Sequence, residues 1–124
     1  MKKIAALFSL VFLASCYNHE RNCTDFKTGK FEFKYEVDGV EKITTFIRTE
    51  DQEIDFYDGK IDTSSVRWIN DCEYVIQKLN PKNREEQKAI SMKILTTSKN
   101  SYTFEFGMVG SAQRQVGTVT KLSN

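Results

Sequence analysis

The chain has 124 residues and a formal charge of +1; 40% of its residues are hydrophobic and 12% aromatic. That length supports one small domain rather than two, and the aromatic share is enough to build its core largely from rings. Near-neutrality excludes the electrostatic footprint of a nucleic-acid binder or of a domain held to an anionic surface by charge.

The chain begins with the basic Met1-Lys2-Lys3, continues through an apolar run at 4–13 and closes it with Leu13-Ala14-Ser15-Cys16. This is the three-part layout of a secretory leader. The run is about ten residues, short of the ~20 that a membrane-spanning helix needs. Cys16 directly after the small residues resembles the lipobox of bacterial lipoproteins, in which the thiol is acylated and becomes the new N-terminus. The resemblance implies cleavage after residue 15 and attachment to a membrane by lipid. With Tyr17 rather than Asp after the cysteine, it implies the outer membrane, facing either the periplasm or the cell surface. Loss of the leader leaves 109 residues, and loss of Lys2 and Lys3 takes the formal charge from +1 to −1. Residues 16–22 then form a lipidated tether and residues 23–124 a single β domain. Six tether residues reach at most ~20 Å, so the domain is expected close to the bilayer.

With Cys16 assigned to lipid, Cys23 and Cys72 remain as an even pair in an oxidising compartment, which favours a disulfide over two separate thiols. Residues 30–37 place Phe31, Phe33, Tyr35 and Val37 on one face and charges on the other, the period of a half-buried strand. Asp38-Gly39 supplies a tight hairpin turn. The returning strand at 40–49 has ambiguous facing, because Phe46 and Ile47 cannot both point inward; if Phe46 does, so do Thr44 and Arg48. Ile54 and Phe56 alternate with Glu53 and Asp55 at 52–57, which puts the two acids on an outer, solvated face. Asp58-Gly59 turns the chain again.

A further strand at 60–69 has Val66 and Trp68 sharing a face. In the next, at 72–79, Cys72, Tyr74 and Ile76 take one side, while Val75 and Leu79 on the other predict cover on both faces. Asn83 with Glu86 three residues on fits a capping box, predicting a short helix over 84–89. Ile90, Met92, Ile94 and Thr96 alternate, then Tyr102, Phe104, Phe106 and Met108, and a last strand covers 115–122. Seven or eight strands joined by tight turns predict an all-β, antiparallel up-and-down meander. Its expected closure is a small calycin- or lipocalin-like barrel or half-barrel, with a two-sheet sandwich as the alternative.

Chemistry is sparse. His19 is the only histidine and lies in the tether, which removes Ser–His and Cys–His nucleophilic arrangements from the domain. The acids Glu50, Asp51, Glu53, Asp55, Asp58 and Asp62 fail the calcium-loop spacing, because Phe56 stands where that loop needs glycine. No metal, no cofactor and no catalytic constellation is expected. Arg48 and Arg67 are expected to pair with these carboxylates across hairpins. Were Arg48 to face a barrel interior beside Tyr35, Phe46 and Trp68, it could instead grip the carboxylate of an apolar ligand.

The strings Asp25-Phe26-Lys27-Thr28-Gly29-Lys30-Phe31 and Arg67-Trp68-Ile69-Asn70-Asp71-Cys72-Glu73-Tyr74 resemble a group of small lipoproteins of Bacteroidetes. The resemblance covers the whole mature domain, implies an exported lipoprotein and carries no activity with it. Some members of the group bear a DNA topoisomerase name. That chemistry needs a long cytoplasmic enzyme with metal-binding carboxylates supporting a nucleophilic tyrosine, and an exported domain of 109 residues has neither the room nor the location. Two roles follow. The first is an envelope binding module holding a small apolar or amphipathic ligand; the alternative is an accessory lipoprotein that docks another envelope protein through a sheet edge or through the 79–88 loop.

Overall fold

The computed structural model describes residues 21–124; the expected leader and the acylated Cys16 lie outside the described residues. A 3₁₀ turn at Cys23–Phe26 leads into eight strands: β1 Gly29–Val37, β2 Val40–Arg48, β3 Gln52–Tyr57, β4 Lys60–Asn70, β5 Glu73–Lys78, β6 Ile90–Thr97, β7 Ser101–Met108 and β8 Gln115–Ser123. Each pairs antiparallel with its successor, and β8 returns to β1, closing the barrel. This is the up-and-down meander of the sequence reading in its barrel form. The sandwich alternative is not adopted, because Phe33 of β1 lies opposite Val119 of β8 and the sheet has no free edge.

Local chemistry explains the hairpins. Asp38 and Gly39 have φ of 53° and 77°, and Asp58 and Gly59 have φ of 51° and 71°. Two successive positive φ values make the turn whose twist matches the flanking strands, and Asp-Gly tolerates them at little cost. Register shifts occur at Lys30/Phe31, Trp68/Asn70 and Ile94/Thr96, all near one end of the barrel. Bulges raise local twist, and here they accompany the end that the 3₁₀ turn covers.

The facing of β2 resolves with Phe46 and Arg48 inside and Ile47 outside. This overturns the expected facing of β3. Arg48 lies opposite Glu53 and Phe46 opposite Asp55, so Glu53 and Asp55 point into the barrel while Ile54 and Phe56 face out. Glu53 is only 5% exposed and Phe56 is 36% exposed. The cause is electrostatic: a guanidinium inside a barrel must bring a carboxylate in with it, and the two-residue period then fixes the rest of the strand.

The expected second cover over β5 is likewise absent. Tyr74 is buried within the barrel, but Leu79 beyond the strand is exposed, since a single closed sheet has no second layer. The predicted helix is one turn, Arg84–Gln87. The Asn83 side chain accepts from the Glu86 amide at 2.9 Å, as a cap should. The Glu86 carboxylate, however, accepts from the Lys82 amide at 2.6 Å rather than from Asn83, so the box is only half made.

Candidate functional site

The barrel is filled at one end and hollow at the other. At the filled end, Phe26 of the 3₁₀ turn packs edge-on against Tyr102 at 5.2 Å between ring centres, and Phe31 stacks on Phe46 at 5.1 Å. Ile94, Phe104 and Val119 complete this core. The 3₁₀ turn is fastened by the Cys23–Cys72 disulfide, which the sequence reading expected. Lys121 Nζ also donates to the Asp25 carbonyl at 2.6 Å.

Arg48 is the hub of this plug. Its Nε and Nη2 both donate to Glu53 Oε1 at 3.2 Å. Nη2 also donates to the Tyr74 hydroxyl at 2.7 Å and the Tyr102 hydroxyl at 2.9 Å, and Nη1 to the Phe26 carbonyl at 2.7 Å. The guanidinium carbon lies 4.6 Å from the Tyr74 ring centre and 4.9 Å from that of Phe31. Burial alone pulls its pKa down, yet Tyr74, Tyr102 and Glu53 together outweigh burial and hold it above its ordinary value. Burial pushes the Tyr74 phenol well above its usual range, so it serves as a neutral acceptor to Arg48. With its donors engaged and 1% exposed, Arg48 closes the barrel and does not offer itself to a ligand.

Above this floor lies a cavity of about 330 Å³. Strand direction places its mouth at the end of the Asp38-Gly39 and Asp58-Gly59 hairpins, opposite the 3₁₀ turn. One wall is aromatic. Phe33 stacks on Tyr35 at 5.4 Å and meets Phe104 edge-on at 5.5 Å, and Phe104 stacks on Phe106 at 5.4 Å. Gly117 of β8 allows this wall: a Cβ there would sit 2.9 Å from carbons of both Phe33 and Phe104. Thr44, Ile76, Ile90 and Met92 also line the space.

The facing wall is acidic. Asp55 of β3 lies directly opposite Asp62 of β4, with Tyr57 beside them and Glu53 at the floor. Tyr57 donates its hydroxyl to Asp62 Oδ2 at 3.2 Å. Lys78 stands at the rim, 3.6 Å from Asp62 and 3.0 Å from Glu86. Among the described residues Asp55 forms no ion pair within 4.0 Å. Burial, with the charges of Glu53 and Asp62, pushes its carboxyl up to about 7, against a smaller downward pull from Arg48.

Of the residues singled out from sequence, Tyr35 and Phe46 line the cavity, whereas Arg48 and Trp68 do not. Trp68 sits in the plug region, 4.4 Å from the Tyr74 ring centre and under Lys27 at 5.1 Å, with its buried indole nitrogen unpartnered. Arg67 points outward and is exposed, so only Arg48 of the two arginines meets an acid. Glu53, Asp55, Tyr57 and Asp62 were missed. The available cue was spacing: Arg48 and Glu53 flank a short connection, so an inward Arg48 carries Glu53 and every second residue after it inward.

No family model, curated protein or solved structure matches this chain. The site therefore rests on its own geometry. Among the described residues no three His, Cys, Asp or Glu side chains converge to hold a metal ion. The described site is an aromatic cleft with a few polar groups on one side.

Proposed function

We propose that this domain is a small-molecule binding barrel of the bacterial envelope, tethered through an acylated Cys16 to the outer membrane and holding a small apolar or amphipathic ligand. The observation that carries the reading is the hollow half of the barrel. A volume of about 330 Å³ falls within the ~300–1,000 Å³ typical of ligand pockets. Eight strands give an interior that side chains can fill or that can hold one small ligand. Here rings fill one end and leave the other open.

The docking alternative has less behind it. A closed barrel offers no edge to a partner strand, and in the 79–88 loop Leu79 is the only large apolar residue.

Mass spectrometry of protein expressed from the full chain tests the reading. The expected native spectrum carries a small-molecule adduct that disappears on denaturation, and the expected denatured mass lacks residues 1–15 and includes acyl chains. An adduct-free native spectrum together with no binding of any added apolar probe would remove the ligand-binding role. A denatured mass of the whole unprocessed chain would remove the anchor.

A further inference from the structure

The aromatic wall sets what the body of a ligand can be, and the acidic wall sets its charge. Glu53 is committed to Arg48, so it adds nothing that a ligand could use. Lys78 is divided between Asp62 and Glu86. Asp55 is left without a cation, half-buried and directly opposite Asp62 in the β3–β4 ladder. Like charges directly opposite on one face of a sheet are destabilising, and burial worsens the cost. The two carboxylates are on β3 and β4, and the rings they confront across the cavity are on β1 and β7.

We infer that the ligand is an organic cation, an ammonium group on an apolar or aromatic body. Its charged end lies between Asp55 and Asp62, and its body lies against Phe33, Tyr35, Phe104 and Phe106. The inference rests on the cavity being a ligand site. It reverses the sign expected when Arg48 was the candidate grip, because Arg48 is neutralised within the plug and the free charge in the hollow is negative. An ammonium suits the site for three reasons. It relieves the Asp55–Asp62 repulsion, it donates several hydrogen bonds to acceptor-only carboxylates, and the faces of the surrounding rings attract it. A carboxylate ligand would meet the acidic wall, where the lining lysine, Lys78, is already shared between Asp62 and Glu86.

Three probes of one shape decide the matter: phenylbutylamine, phenylbutanol and phenylbutyrate, titrated into the protein by calorimetry at neutral to mildly alkaline pH and moderate salt. A charge-assisted hydrogen bond is worth enough to make the amine bind at least about tenfold tighter than the alcohol. The carboxylate is expected to bind weakest. The paired substitution Asp55→Asn and Asp62→Asn should collapse the amine-to-alcohol ratio towards one. Equal binding of amine and alcohol, or tightest binding of the carboxylate, overturns the cationic assignment while leaving the cavity as a ligand site. Failure of all three to bind overturns both. The comparison on the unaltered protein stands even if the double variant does not fold.

Discussion

Arg48→Met is the most informative single change in this barrel. It removes the cation from a network in which one guanidinium serves Glu53, the Tyr74 and Tyr102 hydroxyls and the Phe26 carbonyl. Methionine retains much of the stem volume, so packing loss is small and the electrostatic loss dominates. Glu53 is left buried without its counter-charge, and breaking such a pair by removing one partner typically costs about 3–5 kcal/mol. The orphaned Phe26 carbonyl adds about 1–3 kcal/mol, less whatever relaxation recovers. A net loss of about 4 kcal/mol is expected, measured as the fall in unfolding free energy by urea titration followed by circular dichroism. At ~4–8 °C per kcal/mol for a domain of this size, the melting temperature should fall by at least about 15 °C. The double variant Arg48→Met with Glu53→Gln should recover at least about 1 kcal/mol of that, because it no longer buries an unpaired charge. A loss below about 1 kcal/mol for Arg48→Met would refute the reasoning, since it would mean the buried network contributes no more than a surface ion pair.

Other outcomes follow from the same geometry. Cys23→Ala with Cys72→Ala opens a crosslink between residues 49 apart and is expected to lower stability by ~4 kcal/mol, with hydrogen exchange rising first in the Cys23–Phe26 turn. For Asp55→Asn the sign follows from a carboxyl whose folded pKa is raised from 3.8 to about 7. The parent's Asp55 contribution is fully present below the unfolded value and is lost as pH rises through the folded value. That carboxyl faces Glu53, Tyr57, Asp62, Lys78 and Arg48, and its rise comes from burial together with the charges of Glu53 and Asp62. The variant should therefore gain on the parent between about pH 4 and pH 7, by about 1–3 kcal/mol after allowance for screening, read from urea midpoints across that range. Gly117→Ala pushes a methyl group against Phe33 and Phe104 and should cost about 1–3 kcal/mol while displacing those rings into the cavity, which calorimetry would register as weakened phenylbutanol binding.

The strands were legible wherever apolar and charged residues alternate, as in Phe31-Glu32-Phe33-Lys34-Tyr35 and Tyr102-Thr103-Phe104-Glu105-Phe106, and wherever Asp-Gly demanded a turn. Closure into a barrel followed from the number of strands and their tight turns, but its register did not: that depends on Phe33 meeting Val119, a pairing between the ends of the domain that no local pattern encodes. The acidic wall was misread for a definite reason. Apolar residues were taken to face inward, and Ile54 and Phe56 are apolar; but the strand obeys the buried charge at Arg48, for which an inward carboxylate outweighs the burial of two half-exposed side chains. Charge, not hydrophobicity, sets the facing of β3. Reading Arg48 and Glu53 together rather than separately would have found the wall.

The plug also gives the molecule a direction. Arg21 Nη1 donates to the Ile94 carbonyl at 3.1 Å, and the Asn22 amide donates to Thr97 Oγ1 at 2.9 Å, so the chain just before the disulfide is already fastened to β6 at the filled end. Of the tether expected from sequence, only the path from Cys16 to Arg21 is then left to span, at most ~18 Å. Strands of nine residues, rising ~3.3 Å each and tilted by ~40°, carry the mouth a further ~23 Å away. If Cys16 carries lipid, the filled end faces the bilayer and the mouth faces away from it. On the proposed function, such a barrel would take its ligand from the aqueous side or from a partner there, past Tyr35, Tyr57 and Lys78 at the rim of the hollow. A ligand with a charged ammonium suits that approach, because it arrives through water, and the acids beneath the rim supply the attraction that a purely apolar cavity would lack.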